Sequence, residues 1–455
     1  MINTDDLVNP RAISRISVEK LFGRYFYEIS SREVADADLS RLLILYGENG
    51  SGKTTILNLV YNVLATAKRR GHRTYIARQP FKKFEVEIAD GTRITAERKG
   101  DNLDGDFEWS VSRQNKVLAK VYLQVDERKN IPGKLPGDVA KKHDEVIKVL
   151  KELDIQLYFL SDDRKILSRA LEAEGEEEES YLLEREELRD ERMLRQLRRR
   201  DKSQGLPLDD AIENLVSWIR NQAYRGSSLG ETSVSTIYSD VVKSIAEYPS
   251  TKEPIADAEL QQLMYTIDHL STKNEEFSRL GLMPVLNMEE IARIFGGANK
   301  ETKAILYNVT KPYVDGIKAR FEALEAIKNL INTFIINMND FYVDKHVDFN
   351  FAEGLKISSD QGQELAPGIL SSGEKQLLLL FCHTIVASEK SSIVIIDEPE
   401  ISLNATWQRK LIKALLECAS SSFFQLLLAT HSVELLTQYK NNVVKLRNLA
   451  SSAKK

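Results

Sequence analysis

The feature that most constrains the fold is the octapeptide Gly47-Glu48-Asn49-Gly50-Ser51-Gly52-Lys53-Thr54, set between an apolar run at residues 41–46 and a helical pattern at 54–67. The Leu-Leu-Ile-Leu core of that run suits a short strand buried on both faces of a sheet. Strand, glycine-rich loop and helix in this order aim successive backbone amides and the positive end of a helix at one spot, an arrangement that suits a phosphate. Lys53 can neutralise phosphate charge, and the Thr54 hydroxyl can hold magnesium. Gly47, Asn49, Gly50, Ser51, Gly52 and Thr55 complete the expected phosphate-binding set.

Two further apolar runs lie more than three hundred residues away. Residues 393–396 end in Asp397-Glu398-Pro399-Glu400, which places two carboxylates at the carboxyl edge of a sheet. Asp397 is the candidate magnesium ligand and Glu398 the group that polarises an attacking water. Residues 426–429 end in Thr430-His431-Ser432, where His431 can reach a terminal phosphate. Ahead of both runs, Leu370-Ser371-Ser372-Gly373-Glu374-Lys375-Gln376 opens an apolar helical run. Ser371, Ser372, Gly373 and Glu374 read as a second phosphate-binding helix start or as a simple N-cap. Their place twenty-odd residues before the Asp-Glu strand favours the first reading.

The chain between these fragments reads as an insertion. The first 125 residues are β-rich, with a strand or hairpin at 16–29, a hairpin at 84–97 turning on Asp90-Gly91 and strands at 107–111 and 119–123. A helix at 139–153 and a strand at 155–160 follow. Residues 172–191 are then strongly acidic and 192–202 strongly basic, which fits a solvated helix, a partner-docking helix or a coiled coil. Helices are predicted at 209–222, 256–270, 288–295 and 314–341, the last with one long apolar stripe. Strands at 347–351 and 355–358 restore the α/β pattern. The division expected is an N-terminal lobe at 1–165, a helical insertion at 166–345, a C-terminal lobe at 346–445 and a tail at 446–455.

With 455 residues and a net charge of −5, the chain as a whole lacks the basic character of a nucleic-acid binder. Cys382 and Cys418 sit in apolar helical patterns, which argues against a disulfide scaffold or cysteine-bound zinc. No signal-like N-terminus or long apolar span is apparent, so the expectation is a soluble cytoplasmic protein without membrane contact.

Taken together, Gly47 to Thr54, Leu370 to Gln376, Ile393 to Glu400 and His431 resemble the Walker A, signature, Walker B and switch-histidine motifs of ABC-type ATPases. The long insertion resembles the SMC-like and RecF-like branch rather than transporter subunits. Within it, Asp397 to Leu403 and Leu428 to Ser432 look like ATPases of bacterial anti-phage systems: the PtuA family of Septu and related retrons, the AriA family of PARIS, and the OLD family. The resemblance implies an α/β ABC-type head, with a β-rich N-terminal lobe, a mixed or parallel sheet with helices, and a long helical insertion. It also implies ATP and Mg2+ as cofactors, and a homodimer or larger assembly of dimers with ATP between the heads. Lys53, Thr54, Asp397, Glu398 and His431 of one subunit would then face Ser371, Ser372 and Gly373 of the other.

OLD-type proteins continue into an acidic nuclease domain, whereas 24 residues follow His431 here, so a separate nuclease-type effector is the expected partner. The histidines at 72, 143, 269, 346, 383 and 431 show no metal-nuclease spacing. The leading expectation is an ATPase that serves as sensor and scaffold in an anti-phage complex. Two alternatives stand beside it: a DNA-repair or chromosome-maintenance ATPase that binds DNA directly, and an ATP-gated scaffold with little hydrolysis. Lys68, Arg69, Arg70, Arg73, Arg78, Lys82 and Lys83, with Tyr75 and Phe81 interleaved, form either a DNA-contacting stretch or a solvated face. Asn404 stands where relatives often have His after the Ser-Leu pair, and Asp163 or Arg164 rather than Gln156 can occupy the Q-loop position.

Overall fold

The computed structural model describes residues 9–30, 41–68, 70–161, 166–168, 208–225, 256–286, 288–388, 392–419 and 424–448. The acidic-to-basic stretch at 172–202, Arg69, Asp163, Arg164 and the predicted loops at 226–230 and 248–254 lie outside them. The chain divides into two compact units, Met1–Pro207 with His383–Lys455, and Leu208–Cys382.

The first unit opens with β1 (Ile13–Leu21) and β2 (Tyr25–Ser30), an antiparallel hairpin where the sequence predicts a strand or hairpin. Next come β3 (Leu42–Tyr46), α1 (Lys53–Leu64) and α2 (His72–Arg78). Helix α1 stops short of the predicted Ala67 because Ala65 turns extended. Four strands then run β4 (Lys83–Ile88), β5 (Thr92–Glu97), β6 (Phe107–Arg113) and β7 (Lys116–Leu123). They join the first hairpin in an antiparallel sheet of order β2-β1-β4-β5-β6-β7. The segment closes with α3 (Gly137–Glu152), β8 (Gln156–Leu160) and β9 (Ile166–Ser168), a short strand that sequence reasoning missed.

The second unit is mainly helical: α4 at residues 208–225, α5 (Asp257–Arg279), α6 (Met288–Gly297) and α7 (Lys300–Phe341). Helix α7 begins well before the predicted Val314. Asn299 caps it through the Thr302 amide at 2.8 Å, and the helix runs on through Pro312. Its apolar stripe is core, as with Phe321 set edge-on to Phe277 of α5 at 4.7 Å between ring centres. Strands β10 (Lys345–Asn350) and β11 (Gly354–Ser359) form their own antiparallel pair.

Helix α8 (Ser372–Ala387) carries the chain back to the first unit, which continues with β12 (Ser392–Asp397), α9 (Ala405–Cys418), β13 (Gln425–Thr430), α10 (Val433–Leu436) and β14 (Val443–Lys445). These strands complete a second sheet of order β14-β3-β13-β12-β8-β9, parallel throughout except for β9. Every residue of β13 is buried, which accounts for its unbroken apolar run. Helix α1 touches β8, β12 and β13 of this sheet and β5 of the antiparallel one. Its Ile56, Leu57, Leu59 and Val60 are fully buried, each stabilising by about 1.5–3 kcal/mol. The helix behind the glycine-rich loop is thus anchored in the core of the unit.

A candidate nucleotide-hydrolysis site

Parallel pairing brings the carboxyl ends of β3, β12 and β13 to one edge, with Tyr46 beside Thr430 and Asp397 beside Ala429. The loop after β3 begins with Gly47, where an added Cβ would lie 2.6 Å from Ser51 Oγ. At Gly52 the backbone has φ +90°, and a Cβ there would stand 2.8 Å from Leu21 Cδ2. Asn49 and Gly50 are exposed at the loop tip, Ser51 is half-buried, and Tyr27 donates its hydroxyl to the Ser51 carbonyl at 3.0 Å. Thr54 is exposed and Thr55 half-buried in the first turn of α1. Lys53 is buried, and its Nζ donates to the Gly47 carbonyl at 2.9 Å.

Across the edge, Lys53 Nζ lies 3.7 Å from Glu398 Oε1, and Glu398 Oε2 lies 2.5 Å from His431 Nδ1. The structure therefore brings Lys53, Glu398 and His431 into one cluster, next to the buried Asp397. Glu398 has φ +50°, in the left-handed region, and its amide donates to the Ala429 carbonyl at 2.9 Å. Burial first, then the hydrogen bond and charge of Glu400, push the Glu398 carboxyl up to about 7 against the pull of His431. Glu400, buried and unassigned by the sequence analysis, accepts hydrogen bonds from the His431 and Ser432 amides, both at 3.1 Å. Glu398, Glu400 and His431 also make the one trio of metal-competent groups among the described residues, their ligand atoms within 4.8 Å of one another.

Ser371, Ser372, Gly373 and Glu374 lie in the other unit. The Glu374 amide donates to Ser371 Oγ at 3.3 Å, and the Ser371 amide donates to Glu374 Oε2 at 2.7 Å, a reciprocal capping box. Lys345 pairs with Glu374 Oε1 at 2.8 Å. Burial opposes ionisation of Glu374, but Lys345 and the Ser371 donors hold its carboxyl below the usual range. Its carboxylate is thus engaged in the cap, while Ser371 and Ser372 remain exposed at the helix start.

A protein family described as "AAA domain, putative AbiEii toxin, Type IV TA system" matches residues 42–437, from β3 through α10. The chain belongs to this AAA domain family. It is an ATPase of the AAA kind. Comparison with curated proteins gives no match. Among solved structures, the Smc head domain with an extended coiled coil bound to the C-terminal domain of ScpA, derived from Pyrococcus furiosus, is 12% identical with a TM-score of 0.38, over 97% of this chain and 98% of that one. A second, the SmcHead bound to the C-winged helix domain of ScpA, is 12% identical with a TM-score of 0.36, over 96% and 95%.

In this AAA domain the ambiguous sequence positions acquire definite roles. Asn404 is the N-cap of α9, its side-chain oxygen accepting from the Trp407 amide at 2.9 Å. Gln156 pairs with Ser392 at the amino end of β12, so β8 holds it at the opposite edge from Asp397. The basic stretch divides between buried groups, which correct the reading at Arg73 and Phe81, and surface groups. Arg73 is buried, donates to the Ala65 carbonyl at 2.5 Å and to the Asn62 carbonyl, and lies 3.5 Å over the Trp109 ring. Phe81 is fully buried, Lys68 pairs with Asp144 at 2.9 Å, and Lys83 pairs with Glu85 at 3.2 Å. Arg73 and Phe81 thus serve the fold of the lobe, because a buried guanidinium needs carbonyl partners, while Lys68 and Lys83 lie at the surface, as a solvated face requires. No helix among the described residues is long and apolar enough to cross a membrane.

Proposed function

We propose that this AAA ATPase is the nucleotide-driven sensor and scaffold of an anti-phage complex, and that two copies clamp ATP between their heads to control a separate nuclease-type effector. The observation that carries the ATPase core of the proposal is Glu398, held 3.7 Å from Lys53 and 2.5 Å from His431. The residues fit a phosphate-bearing cofactor: Gly52 has a left-handed backbone and no room for a side chain, and the buried Ser51 Oγ has no hydrogen-bond partner. Lys53 and the loop amides would bind ATP, while Thr54 and Asp397 would hold Mg2+, which when bound neutralises phosphate charge. Glu398 would orient the attacking water and take its proton, and His431 would sense the terminal phosphate. Ser371, Ser372 and Gly373 would come from the second copy, so a homodimer is the smallest active unit. The same proposal divides the chain into an N-terminal lobe at 1–165, a helical insertion at 166–345, a C-terminal lobe at 346–445 and a tail at 446–455. The toxin of a TA system named in the family's description supports a role in a system of more than one component.

The test is affinity purification from the native locus with neighbouring genes intact, with mass spectrometry of the stoichiometric partners. A co-purifying nuclease is expected. A lone oligomer, or one carrying repair proteins, would instead favour a DNA-maintenance ATPase. Turnover of Glu398→Gln should fall far below wild type, whereas equal near-zero rates would leave a nucleotide-gated scaffold.

A further inference from the structure

The loops that follow β12 and β13 are joined by a closed hydrogen-bond circuit. Glu400 Oε1 accepts from the His431 amide at 3.1 Å, the Ser432 amide at 3.1 Å and the Thr430 hydroxyl, and it lies 3.4 Å from His431 Nδ1. Ser432 Oγ donates to Gln408 Oε1 at 2.6 Å. Gln408 Nε2 donates to the Leu403 carbonyl at 2.8 Å, and the Leu403 amide returns to the Glu400 carbonyl at 2.9 Å. Glu400 is 5% exposed and Thr430 fully buried, so the circuit is screened from water where it meets the sheet. A charge-assisted acceptor with three convergent donors is stronger and more directional than neutral pairs.

We propose that Glu400 and Gln408 are positioning residues for ATP hydrolysis, two posts that fix His431 against Glu398 and tie both to the turn at residues 401–404. Neither touches the reacting atoms. Glu400 holds the backbone on both sides of the His431 side chain, which fixes the Cα and the direction from which the imidazole reaches Glu398. Gln408 extends that constraint to the turn that Asn404 closes. A displacement of the turn is therefore transmitted to His431 through two side chains and one serine hydroxyl. The proposal rests on the reading of Glu398 and His431 as the hydrolytic pair.

The test compares steady-state ATP hydrolysis and equilibrium ADP binding in Glu400→Ala, Glu400→Gln, Gln408→Met and Thr430→Val. ADP lacks the terminal phosphate and reports whether the loop and fold are intact. Glu400→Ala should lower kcat on the order of tenfold to a hundredfold, with ADP affinity unchanged. Glu400→Gln keeps an oxygen acceptor and should recover most of the loss. Should Glu400→Ala fail to fold, Gln408→Met and Thr430→Val each cut one link without stranding a buried charge, and each should lower kcat at constant ADP affinity. Wild-type kcat in these variants, or no recovery in Glu400→Gln, overturns the proposal. Glu398→Gln distinguishes the two levels: if it hydrolyses ATP at the wild-type rate, the hydrolytic reading itself fails, whatever Glu400 does.

Discussion

Gly52 answers two demands that no other residue meets together. Its φ of +90° lies in the left-handed region, and Leu21 Cδ2 and Phe22 Cε2 stand 2.8 and 3.2 Å from where a Cβ would be. Gly52→Ala should therefore cost about 1–3 kcal/mol of stability and disorder the N-terminus of α1, measured as a fall in the denaturation midpoint together with lost nucleotide affinity. His143 makes a prediction of a different kind. Burial first, then the charge of Arg73, pushes its imidazole down to about 4. A histidine kept neutral in the fold but free to charge when unfolded contributes stability above its ordinary value near 6.5, and that contribution is lost as pH falls towards 4. The loss should reach about 2 kcal/mol. In His143→Gln the decline of melting temperature between these pH values should be shallower, though not flat, because burial also pushes His383 down to about 4.

At the scale of elements, α9 depends on a single cap. Asn404→Ala should lose about 1 kcal/mol in urea denaturation, whereas Asn404→Asp should retain the cap and gain from the helix dipole. Strands β3, β12 and β13 were legible in the sequence because each is an apolar run buried within a parallel sheet. The hairpin of β4 and β5 was legible from its alternation and its Asp-Gly turn. Helix α2 was not: seven residues show no stripe, and what holds it includes Arg73 bonding to the Asn62 carbonyl of α1 and to the Ala65 carbonyl just after it. Nor was β14, three residues whose identity as a strand comes from pairing with β3. The candidate site divides in the same way. The residues of Gly47 to Thr54, Asp397, Glu398 and His431 announce themselves by local context. Glu400 and Gln408 do not, because their partners lie on other loops.

The first unit behaves as one body around α1, whose buried face joins residues of both sheets in a single core. Ligand binding at the loop ahead of α1 should accordingly stabilise the whole unit. At a hundredfold excess over its dissociation constant, MgATP should add about 2.7 kcal/mol, read as a rise in thermal midpoint that Lys53→Ala abolishes. The tail takes part in this unit too. The Leu446 amide donates to the Tyr46 carbonyl at 2.8 Å, and Asn448 bonds the Phe26 amide at 3.1 Å and the Arg24 carbonyl at 3.0 Å.

The flanks of β3 bear on how the protein is made. Both strands that pair with it, β13 and β14, are encoded hundreds of residues downstream. At ribosomal speeds of about 5–20 residues per second, the strand that presents the phosphate loop waits on the order of tens of seconds for either neighbour. During that interval a nascent chain has the loop but no His431 beside it, so growing chains in a polysome cannot complete the proposed hydrolytic site before synthesis has passed β13.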